Sequence, residues 1–112
     1  MNMCSLVGRL VSIPELKKDD RGKEYSYITL AVNRSYKNDE GIYETDFIEV
    51  KLENSVAKNT CEYCRKGDLI GIKGRLENRY EEENELTRRI TYVVAERVSF
   101  LATNKTETKE SE

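Results

Sequence analysis

Tyr25, Tyr27 and Phe47 sit in stretches where apolar and polar residues alternate, and Lys51, Lys73 and Arg75 hold the matching outward positions of their own stretches. Successive side chains of a strand point to opposite faces, so these rings and cations share an outer side. Rings interleaved with cations are what holding a single-stranded nucleic acid without sequence preference requires. Every base offers a face for stacking and every phosphate a charge. At about 1–3 kcal/mol per stacked base, three rings would supply most of a micromolar affinity before ordering costs. The same pattern has a plainer origin, because tyrosines and lysines favour half-buried pleated surfaces whatever they bind. Alternation alone leaves the two readings level.

Other residue clusters point to less. Cys61 and Cys64 form a CxxC pair, but zinc usually takes four ligands, and the chain has only Cys4 besides and no histidine. A redox pair belongs at a helix N-terminus, where the dipole lowers the thiol pKa. These cysteines fall near a helix C-terminus, which favours packing. Glu81, Glu82, Glu83 and Glu85 read as a solvated loop, not a metal site. Without histidine, a Walker-type phosphate loop or GxSxG, neither an enzyme nor a cofactor is expected.

The chain of 112 residues makes one domain with a small core, so function belongs on a surface or in a shallow groove. The net charge is −2, with acidic residues concentrated at Asp39–Asp46 and Glu81–Glu85. Lys51, Lys73, Arg75 and Arg79 are expected to make a basic face despite that balance. There is neither an apolar run of membrane-spanning length nor a signal-peptide pattern, and the cysteine count is odd. A cytoplasmic protein, associated with the nucleoid, is expected.

These residues need elements to place them. Met3–Ile13 reads as a strand either buried on both sides or shared between two sheets, with Gly8 at a bend; Pro14 ends it and Lys17–Lys23 is a charged turn. Tyr25–Arg34 is the cleanest alternation, with Ile28, Leu30 and Val32 inward. Ser35–Tyr43 reads as a projecting loop. Phe47–Glu53 is a half-buried strand, and Asn54 or Ser55 caps a helix of about three turns. Its apolar face is Val56, Thr60, Cys61 and Cys64, its last turn holds Arg65 and Lys66, and Gly67 ends it. Ile70, Ile72 and Leu76 are the inward face of the next strand, a parity that also puts Tyr80 inward unless the strand has already turned into its loop. Gly71 and Gly74 allow curvature or close approach. Glu81–Leu86 is a second loop, and Thr87–Leu101 is a long final strand with a bulge, or a shift from one sheet to another, near Val93 and Val94. Ala102–Glu112 is a polar, disordered tail. Five strands with one helix between the third and fourth is the order of the OB-fold, an all-β, partly open Greek-key barrel.

At VGRL (Val7–Leu10), TLAVNRSY (Thr29–Tyr36), DFIEV (Asp46–Val50) and CRKGDLIGIKGRLENR (Cys64–Arg79), the chain resembles the bacterial and phage single-stranded DNA-binding proteins, nearly collinearly from Met1 to Leu101. The resemblance implies an OB-fold domain over residues 1–101 that binds and protects single-stranded DNA in replication, recombination or repair. It also implies a homo-oligomer, a tetramer or else a dimer, built through the first strand. Carried over by position, it makes Tyr36 and Phe47 stacking residues, with Arg34 in the same motif as Tyr36. Tyr80 falls at, or one residue from, the aromatic that ends the fourth strand. Lys51, Lys73, Arg75 and Arg79 join these, with Tyr25 and Tyr27, as the expected DNA-binding set. Glu53 departs from the family, standing where an aromatic is usual. The C-terminus departs too, ending in SE without the acidic, hydrophobic tip that recruits repair proteins. With about four to six phosphate contacts, the slope of log K against log salt would be near −3 to −4. The alternative is a protein-interaction module of the primosome accessory type, with weak nucleic-acid binding; Glu53 and the acidic balance favour it.

Overall fold

The computed structural model describes residues 1–103 and contains β1 (Cys4–Leu10), β2 (Lys17–Lys18), β3 (Glu24–Lys37), β4 (Tyr43–Glu53), α1 (Asn54–Tyr63), β5 (Leu69–Glu83) and β6 (Leu86–Ala102). The expected order of five strands and one helix is present. β2 is an addition inside the charged turn, paired with the start of β3. Hydrogen bonding runs β1-β5-β6-β4-β3, and β1 then returns to β3, so the five longer strands close into the OB-fold barrel. Among the described residues only β4 and β6 pair in parallel, through Val50–Val93 and Lys51–Val94.

β1 serves two partners: Cys4–Arg9 lie against Gly74–Leu69 of β5, while Arg9 and Leu10 pair with Ala31 and Leu30 of β3. This double duty explains why its apolar residues do not alternate strictly. A Cβ on Gly8 would collide with the Ala31 carbonyl oxygen, so a residue without a side chain occupies the crossing. β1 stops at Leu10, short of the expected Ile13. The Val11 N–H still donates to Thr29 O at 3.1 Å, and the chain then turns away.

Inward residues of the alternating stretches meet as Leu10, Ile28, Leu30, Val50, Leu52, Ile70, Ile72 and Val93, all buried. Each such burial contributes roughly 1.5–3 kcal/mol. α1 packs on this core through Ala57, Thr60 and Cys64, with Val56 partly covered. Cys64 is a core residue and Cys61 is half-buried; burial pushes both thiols up.

The helix ends differ from expectation. Glu53 is the N-cap residue and makes no side-chain capping bond, while Asn54 opens the helix with φ of 54°. At the other end Arg65 and Lys66 lie beyond the last turn, because Asp68 Oδ2 accepts the Arg65 N–H at 2.8 Å and draws the chain into a turn. Arg65 reaches back instead, its Nη1 donating to the carbonyls of Glu62 at 3.2 Å and Cys64 at 3.1 Å. Gly67, at φ 88°, donates its N–H to Leu10 O at 2.8 Å.

Both expected loops are shorter than expected, because strand runs into them from each side. β3 runs to Lys37 and β4 starts at Tyr43, leaving residues 38–42 as a turn in which Asn38 Oδ1 accepts from the N–H groups of Glu40 and Ile42. β5 and β6 continue to Glu83 and Leu86, joined by Asn84 and Glu85 at φ 52° and 66°, as a two-residue type I′ turn requires. The acidic run is thereby set against cations, with Glu81 opposite Arg88 and Glu83 ion-paired to Arg88 at 3.2 Å. Two hairpin arms therefore project from the barrel. Leu76, expected inward, is 48% exposed because β5 has already left the barrel there.

Bulges in β6 fall opposite Lys73–Gly74 and Leu69–Ile70. Gly74 sits at the first, where a Cβ would strike the Val94 carbonyl. Ala102, placed in the tail by the sequence, still belongs to β6, and residues 104–112 lie outside the described residues. Among the described residues no helix is long and apolar enough to cross a membrane.

Candidate nucleic-acid interface

β3 and β4 lay out the outer face by register. Tyr25 lies opposite Glu53, Tyr27 opposite Lys51, Thr29 opposite Glu49 and Ala31 opposite Phe47, while Ser26, Ile28 and Leu30 turn inward. Phe47 is 67% exposed and Tyr27 43%. β5 and β6 supply the adjoining part: Glu77 pairs with Tyr92 and Arg79 with Ile90. The parallel seam brings these beside β4.

At that junction rings and cations alternate. Tyr25 and Tyr27 meet edge-on at 5.9 Å between centroids, and Tyr27 and Tyr92 at 6.4 Å. The Lys51 ammonium is 5.9 Å from the Tyr25 centroid and 5.7 Å from that of Tyr27. The Arg79 guanidinium carbon is 5.4 Å from Tyr27 and 5.2 Å from Tyr92. Each such contact contributes about 0.5–1 kcal/mol at an exposed site. Burial opposes the Lys51 charge, but Tyr27, Glu53 and Tyr92 outweigh it and hold the ammonium above its ordinary pKa. Burial, seconded by Glu77, raises the Tyr92 phenol.

Tyr92 is a member of this ladder that sequence reasoning missed. Tyr92, Val93, Val94 and Ala95 are all buried, so its side could not be read from alternation. The usable signal was its position across from Glu77, between Arg75 and Arg79.

The expected basic face is not uniformly basic. Carboxylates recur at i±2 from the cations, and in a strand that spacing puts both on one side. Lys51 lies 3.6 Å from Glu53. Arg75 holds Glu77 at 2.7 Å and Glu96 at 3.4 Å. Arg79 Nε donates to Glu81 at 3.1 Å, and its Nη1 lies 2.9 Å from Glu49 Oε2, near enough for an ion pair although the N–H is poorly aligned. Among the described residues Lys73 has no ion pair; it lies on β5 between Ser5 and Arg97.

The remaining expected residues are spread along the arms. Arg34 is on the Val32 side of β3, the reverse of the Phe47 side, and its guanidinium takes Asp46 at 3.0 Å through both Nε and Nη2 and Glu44 at 2.6 Å. The Asp46 hydrogen bond raises Arg34 and lowers Asp46. Tyr36, 62% exposed, stands beyond a bulge on the same arm. Tyr80 is 67% exposed opposite Arg89, on the side of Leu76 and away from Arg79. The inward parity of Tyr80 meets no core, because the arm extends past the barrel. The structure thus gathers Tyr25, Tyr27, Lys51 and Arg79, sets Phe47 about 13 Å along β4 from Lys51 on the same side, and leaves Arg34, Tyr36 and Tyr80 as separate outposts.

Tyr27 also borders two shallow grooves. One, of about 280 Å³, is shared with Tyr25, Lys23, Asp19, Glu24 and Glu53. The other, of about 470 Å³, is shared with Ile13, Lys17, Lys66, Ser12 and Glu15.

A five-stranded OB barrel with rings and cations interleaved on its outer face is the architecture of a single-strand-binding module. Residues 1–101 match the Single-strand binding protein family, and the chain belongs to that family. It is 42% identical over 101 residues to single-stranded DNA-binding protein B of Bacillus subtilis, covering 89% of each chain. It is 42% identical over 102 residues to single-stranded DNA-binding protein 3 of Listeria innocua, covering 90% of this chain but 64% of that one. It is also 42% identical to single-stranded DNA-binding protein 2 of Staphylococcus aureus, covering 72% of the latter. The chain thus spans nearly the whole Bacillus protein and less than two thirds of the Listeria one.

Proposed function

We propose that this protein binds and protects single-stranded DNA without sequence preference, in replication, recombination or repair, and that it is a binding protein and not an enzyme. The observation that carries the reading is the ladder Tyr25–Lys51–Tyr27–Arg79–Tyr92 on the barrel's outer face, in a chain of this family. Bases stack on Tyr27 and Phe47, with Tyr25 beside them and Tyr36 and Tyr80 extending the path along the arms. Glu53, where an aromatic is usual, lies directly opposite Tyr25, so the neighbouring strand supplies a ring at that point.

The same reading includes a homo-oligomer formed through β1. That strand pairs with β3 only at Arg9 and Leu10, which leaves the edge of Cys4–Gly8 away from β5 open beside the exposed Val7. An open edge is a template for pairing with a second copy. Native mass measurement tests this.

The function is tested by fluorescence titration with a labelled poly-thymidine oligonucleotide against duplex competitor at two salt concentrations. Tight, competitor-resistant and salt-sensitive binding is expected. No binding at micromolar protein would refute the reading and turn attention to protein partners.

A further inference from the structure

The two grooves beside Tyr27 differ in charge. The one toward Tyr25 sets Lys23 and Lys51 against Asp19, Glu24 and Glu53. The one toward Ile13 sets Lys17 and Lys66 against Glu15 alone, and it has two uncovered apolar walls in Ile13 and Tyr27. Among the described residues neither Lys17 nor Lys66 makes an ion pair, and both are exposed.

Arg79 is in the opposite condition. Glu81 and Glu49 take its Nε and Nη1, and its carbon lies over both Tyr27 and Tyr92. A phosphate reaching Nε or Nη1 of this guanidinium must displace a carboxylate, exchanging one anion for another. The released carboxylate then takes up a counterion, cancelling the release that favours phosphate binding. A planar guanidinium can serve two carboxylates and rest on rings at once, which a lysine ammonium cannot.

We infer that Arg79 is a positioning residue that, resting on the buried Tyr92, holds the exposed Tyr27 ring for bases, and that the DNA backbone runs through the Ile13 groove with its phosphates on Lys17 and Lys66. The inference rests on the single-strand-binding reading and divides the work within it. The Tyr27 ring, braced by an internally neutralised arginine, takes a base, and unpaired lysines outside the ladder take the charge.

The experiment is a set of oligo-thymidine titrations over a salt series for the wild-type protein and for Lys17→Gln, Lys66→Gln, Arg79→Lys and Arg79→Gln, with folding checked by circular dichroism. Lys17→Gln and Lys66→Gln should each make the log K against log salt slope shallower by about 0.7, one phosphate contact on a single strand. Arg79→Gln and Arg79→Lys should both lower affinity by about fivefold or more, of the order of a weakened stacking platform, with the slope unchanged. The assignment is overturned if Arg79→Lys binds like wild type while Arg79→Gln loses about 0.7 of slope, which is how a phosphate ligand behaves. It is equally overturned if neither lysine variant changes the slope. The lysines are exposed and unpaired, so their result stands even if an Arg79 variant does not fold. Failure of the wild-type protein to bind would instead overturn the function itself.

Discussion

Asn2 precedes the first strand, yet its carboxamide acts as one more strand residue toward Leu76. Its Nδ2 donates to Leu76 O at 2.9 Å, and its Oδ1 accepts the Leu76 N–H at 2.8 Å. The pair extends the β1–β5 ladder beyond its last backbone partners, Cys4 and Gly74. Replacing Asn2 with Ala should cost about 0.5–1.5 kcal/mol of unfolding free energy, since both bonds are exposed. Denaturant unfolding measures the loss, and an unchanged midpoint would show that the clamp contributes nothing.

Phe47 lies on the outer side of β4, opposite Ala31, with most of its ring in solvent. Phe47→Ala should weaken oligonucleotide binding by about 1–3 kcal/mol and leave the melting temperature nearly unchanged. A large loss of stability at full affinity would instead make it a fold or interface residue.

Gly71 and Gly74 sit three residues apart on β5 and should respond differently to an added methyl group. At Gly71 the nearest atom to a new Cβ is Leu101 Cδ1 at 3.6 Å, an ordinary contact. At Gly74 the Cβ would overlap the Val94 backbone, so Gly74→Ala should destabilise by about 1–3 kcal/mol. Thermal melts of the two variants side by side test the difference, and equal melts would refute it.

The Asp46 carboxylate is held below its usual range by its hydrogen bond to Arg34, against a smaller opposing effect of burial. A carboxylate depressed in the folded state contributes stability above its unfolded pKa, about 3.9. That contribution is lost as pH falls through the lower folded value. The stability gap between wild type and Asp46→Asn should therefore be constant above about pH 5 and shrink below about pH 4. Melting both proteins from pH 7 to pH 3 measures it. A gap that widens on acidification would contradict the assignment.

The barrel was legible where one face of a strand is wet and the other dry. Ile28, Leu30, Val50 and Leu52 announce their inward side because the alternation is a direct image of burial. Where the hairpins leave the barrel both faces are wet. Polar stretches such as Glu81–Glu83 then read as loops, although cross-strand pairing keeps them extended. The outward side of Phe47 and Tyr27 was legible by the same logic in reverse. Pairings such as Arg79 with Glu49 were not, since they depend on how β4 and β5 come together, which no local pattern encodes. Tyr92 was hidden because β6 is covered on both faces from Tyr92 to Ala95, which leaves no alternation to read.

The parallel seam has a kinetic meaning. The β3–β4 and β5–β6 hairpins join residues close in sequence and can zip locally, whereas β4 and β6 meet only at Val50–Val93 and Lys51–Val94. Loop closure over such separations is slow, which places barrel closure late in folding. Tyr27 and Lys51 arrive on one hairpin, Arg79 and Tyr92 on the other, so the proposed binding surface exists only once the seam has shut. A strand of DNA bound there, as proposed, would bind the closed barrel and not the open one. By mass action it acts as a staple, slowing the reopening of the join between the two halves of the chain.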